Sequence, residues 1–334
     1  MRRFAGTLVV LGLLGLAVTL TLWWLPADDF IFTPNTARPL GDRVVVEDSR
    51  PVGQDPVYFV DVFVRRLRVL EQLLPFTRPD GSTTVPASDL LPHGTSEEER
   101  DRQNYVDMQR SEQIASAVAL QTLGYDVVET PRGALVIGVY SDVPAAAKLD
   151  PGDVIVAVDG VPVKTPDELR AEIGKREPGD EVRLTIRRDG ASTDVTVRTV
   201  ASPSDSSRPI IGISVDQDAK IELPLDVDID LGDVGGPSAG LPFALEIARQ
   251  LGRRLADGCR VAATGELALD GTVVSIGGVE QKTIGVRRAD VDIFVVPAGR
   301  NAKEARKYAD GVRILPVESF QQAFRKLTTS GLKC

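Results

Sequence analysis

The chain has 334 residues, 26% of them charged, with a net charge of -9 at neutral pH and two cysteines. That length predicts about two domains, and the acidic balance argues against a nucleic-acid partner, whose phosphates need a basic face. Cys259 and Cys334 have neither paired spacing nor a histidine cluster around them, so no metal site is expected.

The N-terminus differs from everything after it. Arg2 and Arg3 precede an uncharged run from Phe4 to Leu25 that ends in Trp23, Trp24 and Leu25. About 20 apolar residues suffice to cross a bilayer. A cleaved signal peptide has a shorter apolar core and a small-residue exit, whereas this run ends in "LWWLPADD". The expectation is therefore an uncleaved anchor over 1–25, with the N-terminus cytoplasmic and the remainder outside the cytoplasm. Cys259 and Cys334 would then meet oxidising conditions and could pair.

Residues 26–42 are polar and hold three prolines, which reads as a stalk. From Arg43 the runs "RVVVED" and "VYFVDVFVRRLRV" are rich in β-branched and aromatic residues and predict strands. The single histidine, His93, falls in a polar loop and reads as surface. A long helix is predicted after a cap at Thr95 or Ser96, with acids in its first turn and its end at Gly124.

Residues 123–200 have their own character: short alternating runs, a hairpin turn at Asp189-Gly190, and one helix begun by Thr165, Pro166 and Glu168. This order, with "LDPGDVIVAVDG" before the helix, resembles a PDZ domain of the bacterial protease-associated type. The resemblance implies a peptide groove. Gly124, Tyr125 and Val127 of "LGYDVV" would form the carboxylate-binding loop and the strand to which a peptide adds. Leu169 and Ile173, four apart on one helix face, would line the groove or else pack in the core.

Residues 201–209 read as a linker, and 210–334 alternate strand and helix in the manner of α/β layers. Within them "GGPSAG" brings Ser238 to the start of an apolar helical pattern. Serine there is ordinarily a cap. A catalytic serine needs a base as well, and with one surface histidine in the chain a desolvated lysine is the next choice. Lys282 fits, in a segment entered through Gly277-Gly278 and flanked by Ile276, Val279 and Ile284.

"GPSAG", followed by "TGE" and by "L.G.V..IGG...K", is similar to the proteolytic domain of Lon proteases. The resemblance implies a dyad of Ser238 as nucleophile and Lys282 as base, with Thr264 holding the amine and the Gly236–Ala239 turn supporting the serine. Two departures stand out. Gly235 occupies the place where many Lon sequences have an acid, with Asp233 two residues earlier, and the chain has no G-x-x-x-x-G-K-[ST] phosphate loop. No cofactor and no use of ATP are therefore expected.

Taken whole, the chain looks like the membrane-anchored, PDZ-containing Lon-like proteases of bacteria. The implied fold class is α+β: a transmembrane helix, a small barrel-like PDZ domain and a Lon-type α/β domain. The helix pattern "MQRSEQIASA" from Met108 is also Lon-like, which makes 43–122 the first part of the protease domain and 123–200 an insertion. A separate N-terminal domain in series is the alternative. Partners implied are protein or peptide substrates, the membrane and other copies in a ring. A catalytically idle PDZ scaffold is the competing function.

Overall fold

A computed structural model describes residues 2–51, 55–91, 96–140, 142–188, 190–232, 234–256, 258–329 and 334, with side chains from Val10 onward. His93, Thr95, Asp189 and Asp233 lie outside the described residues. The α-helices among those described are α1 (Arg2–Trp24), α2 (Val69–Leu73), α3 (Ala87–Leu90), α4 (Glu97–Thr122), α5 (Pro166–Ile173), α6 (Gly240–Gln250), α7 (Val279–Arg288), α8 (Arg300–Tyr308) and α9 (Phe320–Thr328). The chain divides into two compact units. One holds residues 1–119, 225–267 and 271–334, and the other 120–224 with 268–270.

The first unit is woven from both flanks of the second. Its main sheet runs in the order Arg38–Pro39, Tyr58–Phe59, Val261–Ala263, Ile293–Pro297, Arg313–Val317. The last four are mutually parallel, and Tyr58–Phe59 pairs directly with Ala262 and Ala263. Val44–Val46 likewise pairs with Val227–Ile229. Parallel strands are covered on both faces and so read as near-continuous apolar runs, as "IFVVP" does. Phe294, Val296 and Ala262 pack there with Val279 and Val286 of α7 and with Ala302 and Ala305 of α8. α4 opens with a capping box, Ser96 Oγ accepting from the Glu99 N–H while the Glu99 carboxylate accepts from the Ser96 N–H.

Two expectations are corrected in this unit, and one pairing that the sequence left open is found. No helix among the described residues is long and apolar enough to cross a membrane. The transmembrane anchor over 1–25, the single-pass topology and the extracytoplasmic placement that followed from it are set aside. The stalk over 26–42 is instead structured: Pro26–Pro34 is the middle strand of a sheet with Val62–Arg68 and Thr83–Val85. Phe30 and Ile31 are fully buried in it, and the guanidinium groups of Arg66 and Arg100 lie 4.6 and 5.1 Å from the Phe30 ring centre. The short "FIF" run inside prolines and acids concealed a strand. Finally, Cys259 and Cys334 form a disulfide, with Cα atoms 5.6 Å apart.

The second unit is a sheet in the order Ala191–Arg198, Glu181–Arg188, Val154–Val158, Val128–Val139, Ile213–Glu222. Ala134, Val136, Ile155, Leu184 and Ile186 form its core with Leu169 and Ile173 of α5. Thr165 caps α5 by accepting from the Glu168 N–H, although the Glu168 carboxylate reaches the Lys164 N–H rather than that of Thr165. The segment read as a linker, 201–209, belongs to a hairpin of Val200–Ser202 with Asp205–Ile210. Ile213–Glu222, expected in the Lon-type domain, pairs with Val128–Val139 along its whole length. Unit 2 extends to Pro224.

Candidate active site

Ser238 lies in a single 3-10 turn, Pro237–Ala239, that runs directly into α6. The turn needs Gly236 at its mouth, where φ is +92°, a conformation costly for any residue with a Cβ. It is held from three sides. The Ser238 carbonyl accepts from the Gly265 N–H at 2.9 Å and from Thr264 Oγ1 at 3.2 Å. Ser111 Oγ of α4 donates to the Pro237 carbonyl at 3.0 Å, and the Gly236 N–H donates to the Asn104 carbonyl at 2.7 Å. Ala239 is buried and anchors the turn from below.

Lys282 projects from the first turn of α7. Gly278 begins this helix with φ +67°, and a Cβ there would stand 2.8 Å from Val62, so the entry is both left-handed and crowded. The amine reaches Ser238 Oγ at 2.7 Å and Thr264 Oγ1 at 3.3 Å. Lys282 is 4% exposed and Thr264 fully buried. Burial pushes the amine down from 10.5 to about 8, against a smaller upward pull from the Asp61 carboxylate. A neutral lysine 2.7 Å from a serine hydroxyl can accept its proton, which is the geometry nucleophilic catalysis requires.

Ser238, Lys282, Thr264, Gly236 and Ala239 therefore come together in one place. Gly124, Tyr125, Val127, Leu169 and Ile173 do not assemble as an open groove. Gly124 and Tyr125 close the end of α4, their amides donating to the Gln121 and Leu120 carbonyls, and Val127 leads into the next strand. The strand so begun, Val128–Val139, has its expected peptide edge filled by Ile213–Glu222. Leu169 and Ile173 are 3% and 5% exposed, in the core. Among the described residues the sheet ends instead at Ile213–Glu222, which pairs on one side only.

Sequence reasoning missed the residues around the pair. Asn104 and Ser111 lay inside a helix pattern, and only the serine carried a motif signal. Asp61, Asn35 and Arg38 fell in segments read as strand and stalk. Asn301 of α8, 2% exposed, clamps Ile276 by giving to its carbonyl and accepting from its N–H, both at 2.9 Å, three residues before α7 begins.

Residues 214–328 match the family described as "Lon protease (S16) C-terminal proteolytic domain", and residues 121–199 match "PDZ domain". Among curated proteins the chain is similar to a Lon protease of Mesomycoplasma hyopneumoniae, 32% identical over 92 residues, which cover 27% of this chain and 10% of that one. It is similar to the magnetosome formation protease MamE of Paramagnetospirillum magneticum, 34% identical over 116 residues, 34% of this chain and 14% of the other. A probable periplasmic serine endoprotease DegP-like of Hahella chejuensis is 35% identical over 96 residues, 27% and 20% of the two chains. The matches thus span a fifth or less of these relatives' lengths. Both domain types point to protein or peptide substrates.

Proposed function

We propose that this chain, which joins a PDZ domain to a Lon-type proteolytic domain, is a serine endopeptidase in which Ser238 is the nucleophile and Lys282 the general base. The observation that carries the reading is the 2.7 Å approach of a buried lysine amine to the serine hydroxyl. With the amine near 8, about one lysine in ten is neutral at pH 7, some 300-fold more than for a solvated lysine.

The neutral amine takes the Ser238 proton as Oγ attacks the peptide carbonyl carbon, and the carbonyl π bond opens to an oxyanion. On collapse the carbon–nitrogen bond breaks, and the Lys282 ammonium returns its proton to the departing amine. Water, deprotonated by the same amine, then releases the acyl group from Ser238. Thr264 Oγ1 accepts from the amine and keeps it aimed at Oγ through these steps. The chain carries no phosphate-loop motif, so cleavage is proposed to need no ATP.

Residues 26–119 and 225–334 act as the protease fold, interrupted by the PDZ unit. The pairing of Val44–Val46 with Val227–Ile229 supports this reading. Within the PDZ unit the outer edge of Ile213–Glu222 is the strand that would accept a peptide, since its neighbour's edge is filled. The test is cleavage of an unfolded protein without nucleotide by the wild type, Ser238→Ala and Lys282→Ala. Wild-type cleavage lost in both variants is expected. Cleavage that survives Ser238→Ala, or a wild type that binds peptide and cuts nothing, contradicts the reading.

A further inference from the structure

One side chain of α4 reaches the peptide bond of the nucleophile itself. Ser111 is 3% exposed, and its Oγ donates at 3.0 Å to the carbonyl of Pro237, 126 residues further on. A helical serine commonly gives its proton to the carbonyl four residues back, as Ser116 of the same helix does by donating to Glu112 at 2.8 Å. Ser111 instead leaves its own helix and bonds the residue just before Ser238. A Cβ on Gly240 would stand 2.9 Å from Ser111 Oγ and 3.2 Å from the Leu267 amide nitrogen, so the head of α6 lies directly against this hydroxyl. Two turns earlier on the same face of α4, the Asn104 carbonyl accepts from the Gly236 N–H at 2.7 Å, and a Cβ on Gly235 would come within 2.8 Å of the Asn104 Cβ. Three glycines thus let the nucleophile turn lie flat on α4.

Peptide geometry sets what the Ser111 bond controls. A trans peptide is planar, so its carbonyl and its N–H point in opposite directions and turn as one body. The Pro237 carbonyl and the Ser238 N–H belong to the same peptide. That carbonyl accepts from Ser111 of α4 and from the Gly240 N–H at the head of α6, so the plane is held by two elements. The Ser238 N–H on its other side has no partner among the described residues, as befits the first amide of a helical turn that proline opens. It is carried by the nucleophile, and the oxygen of a carbonyl attacked by Oγ becomes negative within its reach. The next peptide is fixed separately, its carbonyl accepting from the Gly265 N–H and from Thr264 Oγ1.

We propose that Ser111 is a positioning residue for the cleavage reaction, holding the Pro237 carbonyl so that the Ser238 N–H is aimed at the oxyanion of the attacked peptide. It acts through that peptide plane and not on the reacting atoms. Removing the hydroxyl leaves the carbonyl its bond from Gly240, so no buried acceptor is orphaned and the fold loses little. The loss falls on the transition state, where deleting an oxyanion donor costs about a hundredfold or more in rate and misaiming one costs less. The proposal rests on Ser238 being the nucleophile, and its test separates the two ideas.

The full chain and its Ser111→Ala, Ser111→Cys and Ser238→Ala variants are compared on a fluorogenic peptide that the wild type cuts. The same proteins are inhibited with a peptide aldehyde, to which a serine adds to place an oxygen in the oxyanion position, and with the matching alcohol, to which it cannot add. Ser111→Ala is expected to lower kcat and weaken aldehyde binding about tenfold each, with KM, alcohol binding and the urea midpoint unchanged. The low-pH limb of its kcat profile stays at about 8, because the base is undisturbed. If Ser111→Ala fails to fold, Ser111→Cys, which keeps the volume and donates only weakly, carries the same comparison. A Ser111→Ala protein with wild-type kcat, or one whose aldehyde and alcohol binding fall together, overturns the proposal, while an inactive Ser238→Ala leaves the dyad standing. Cleavage that survives Ser238→Ala removes the nucleophile and the proposal with it.

Discussion

Replacing the buried base with an apolar side chain of similar length should make the protein more stable at neutral pH. Burial lowers Lys282 from 10.5 to about 8, which at 1.36 kcal/mol per pH unit means that holding the ammonium in the fold costs about 3 kcal/mol. Lys282→Met removes that cost. It also removes the bonds to Ser238 and Thr264, worth about 1 kcal/mol each, so the net gain at pH 7 is about 1–2 kcal/mol. Asp61 is not orphaned, because Asn35 and Arg38 still hold both its oxygens. The gain must also depend on pH. Between about 8 and 10.5 the unfolded lysine keeps its proton while the folded one has released it, so wild-type stability rises with pH there. By pH 9.5 the wild type recovers about 2 kcal/mol and the gap closes. Urea unfolding of both proteins at pH 7 and pH 9.5 reads this directly. A variant that is less stable at pH 7, or a gap that does not change with pH, refutes the burial argument.

The disulfide closes a loop of 75 residues that contains Lys282 and α7 to α9, so Cys259→Ser should lower stability by about 4 kcal/mol, read as a fall in the thermal midpoint that reductant reproduces in the wild type. A midpoint indifferent to both would mean the bridge constrains nothing. Leu169→Asp buries a charge in the core of the PDZ unit and should unfold that unit, seen as lost amide protection over 120–224. A folded variant that only binds peptide more weakly would restore Leu169 to a groove.

What the sequence disclosed and what it withheld follow from distance along the chain. Ser238 and Lys282 were legible because their surroundings are local: glycines that set a turn, and apolar neighbours one helical turn away. The strand at Pro26–Pro34 was not legible, since its burial depends on Arg66 and Arg100, remote residues that cover Phe30. The peptide edge was misplaced for the same reason. Nothing near "LGYDVV" announces that Ile213–Glu222 returns to fill the neighbouring edge. Leu169 and Ile173 show the limit of periodicity, because a helix face that lines a groove and one that fills a core have the same spacing. At the N-terminus an apolar run suggested an anchor, whereas no helix among the described residues is long and apolar enough to cross a membrane.

The central claim is that Lys282 activates Ser238. It is tested most directly by the rate and site of acylation with a fluorophosphonate, which reacts covalently with an activated serine. The account predicts one adduct, on Ser238, forming faster as pH rises through about 8 and absent in Lys282→Met. An adduct on another serine, or one on Ser238 that forms equally fast in Lys282→Met, would contradict it.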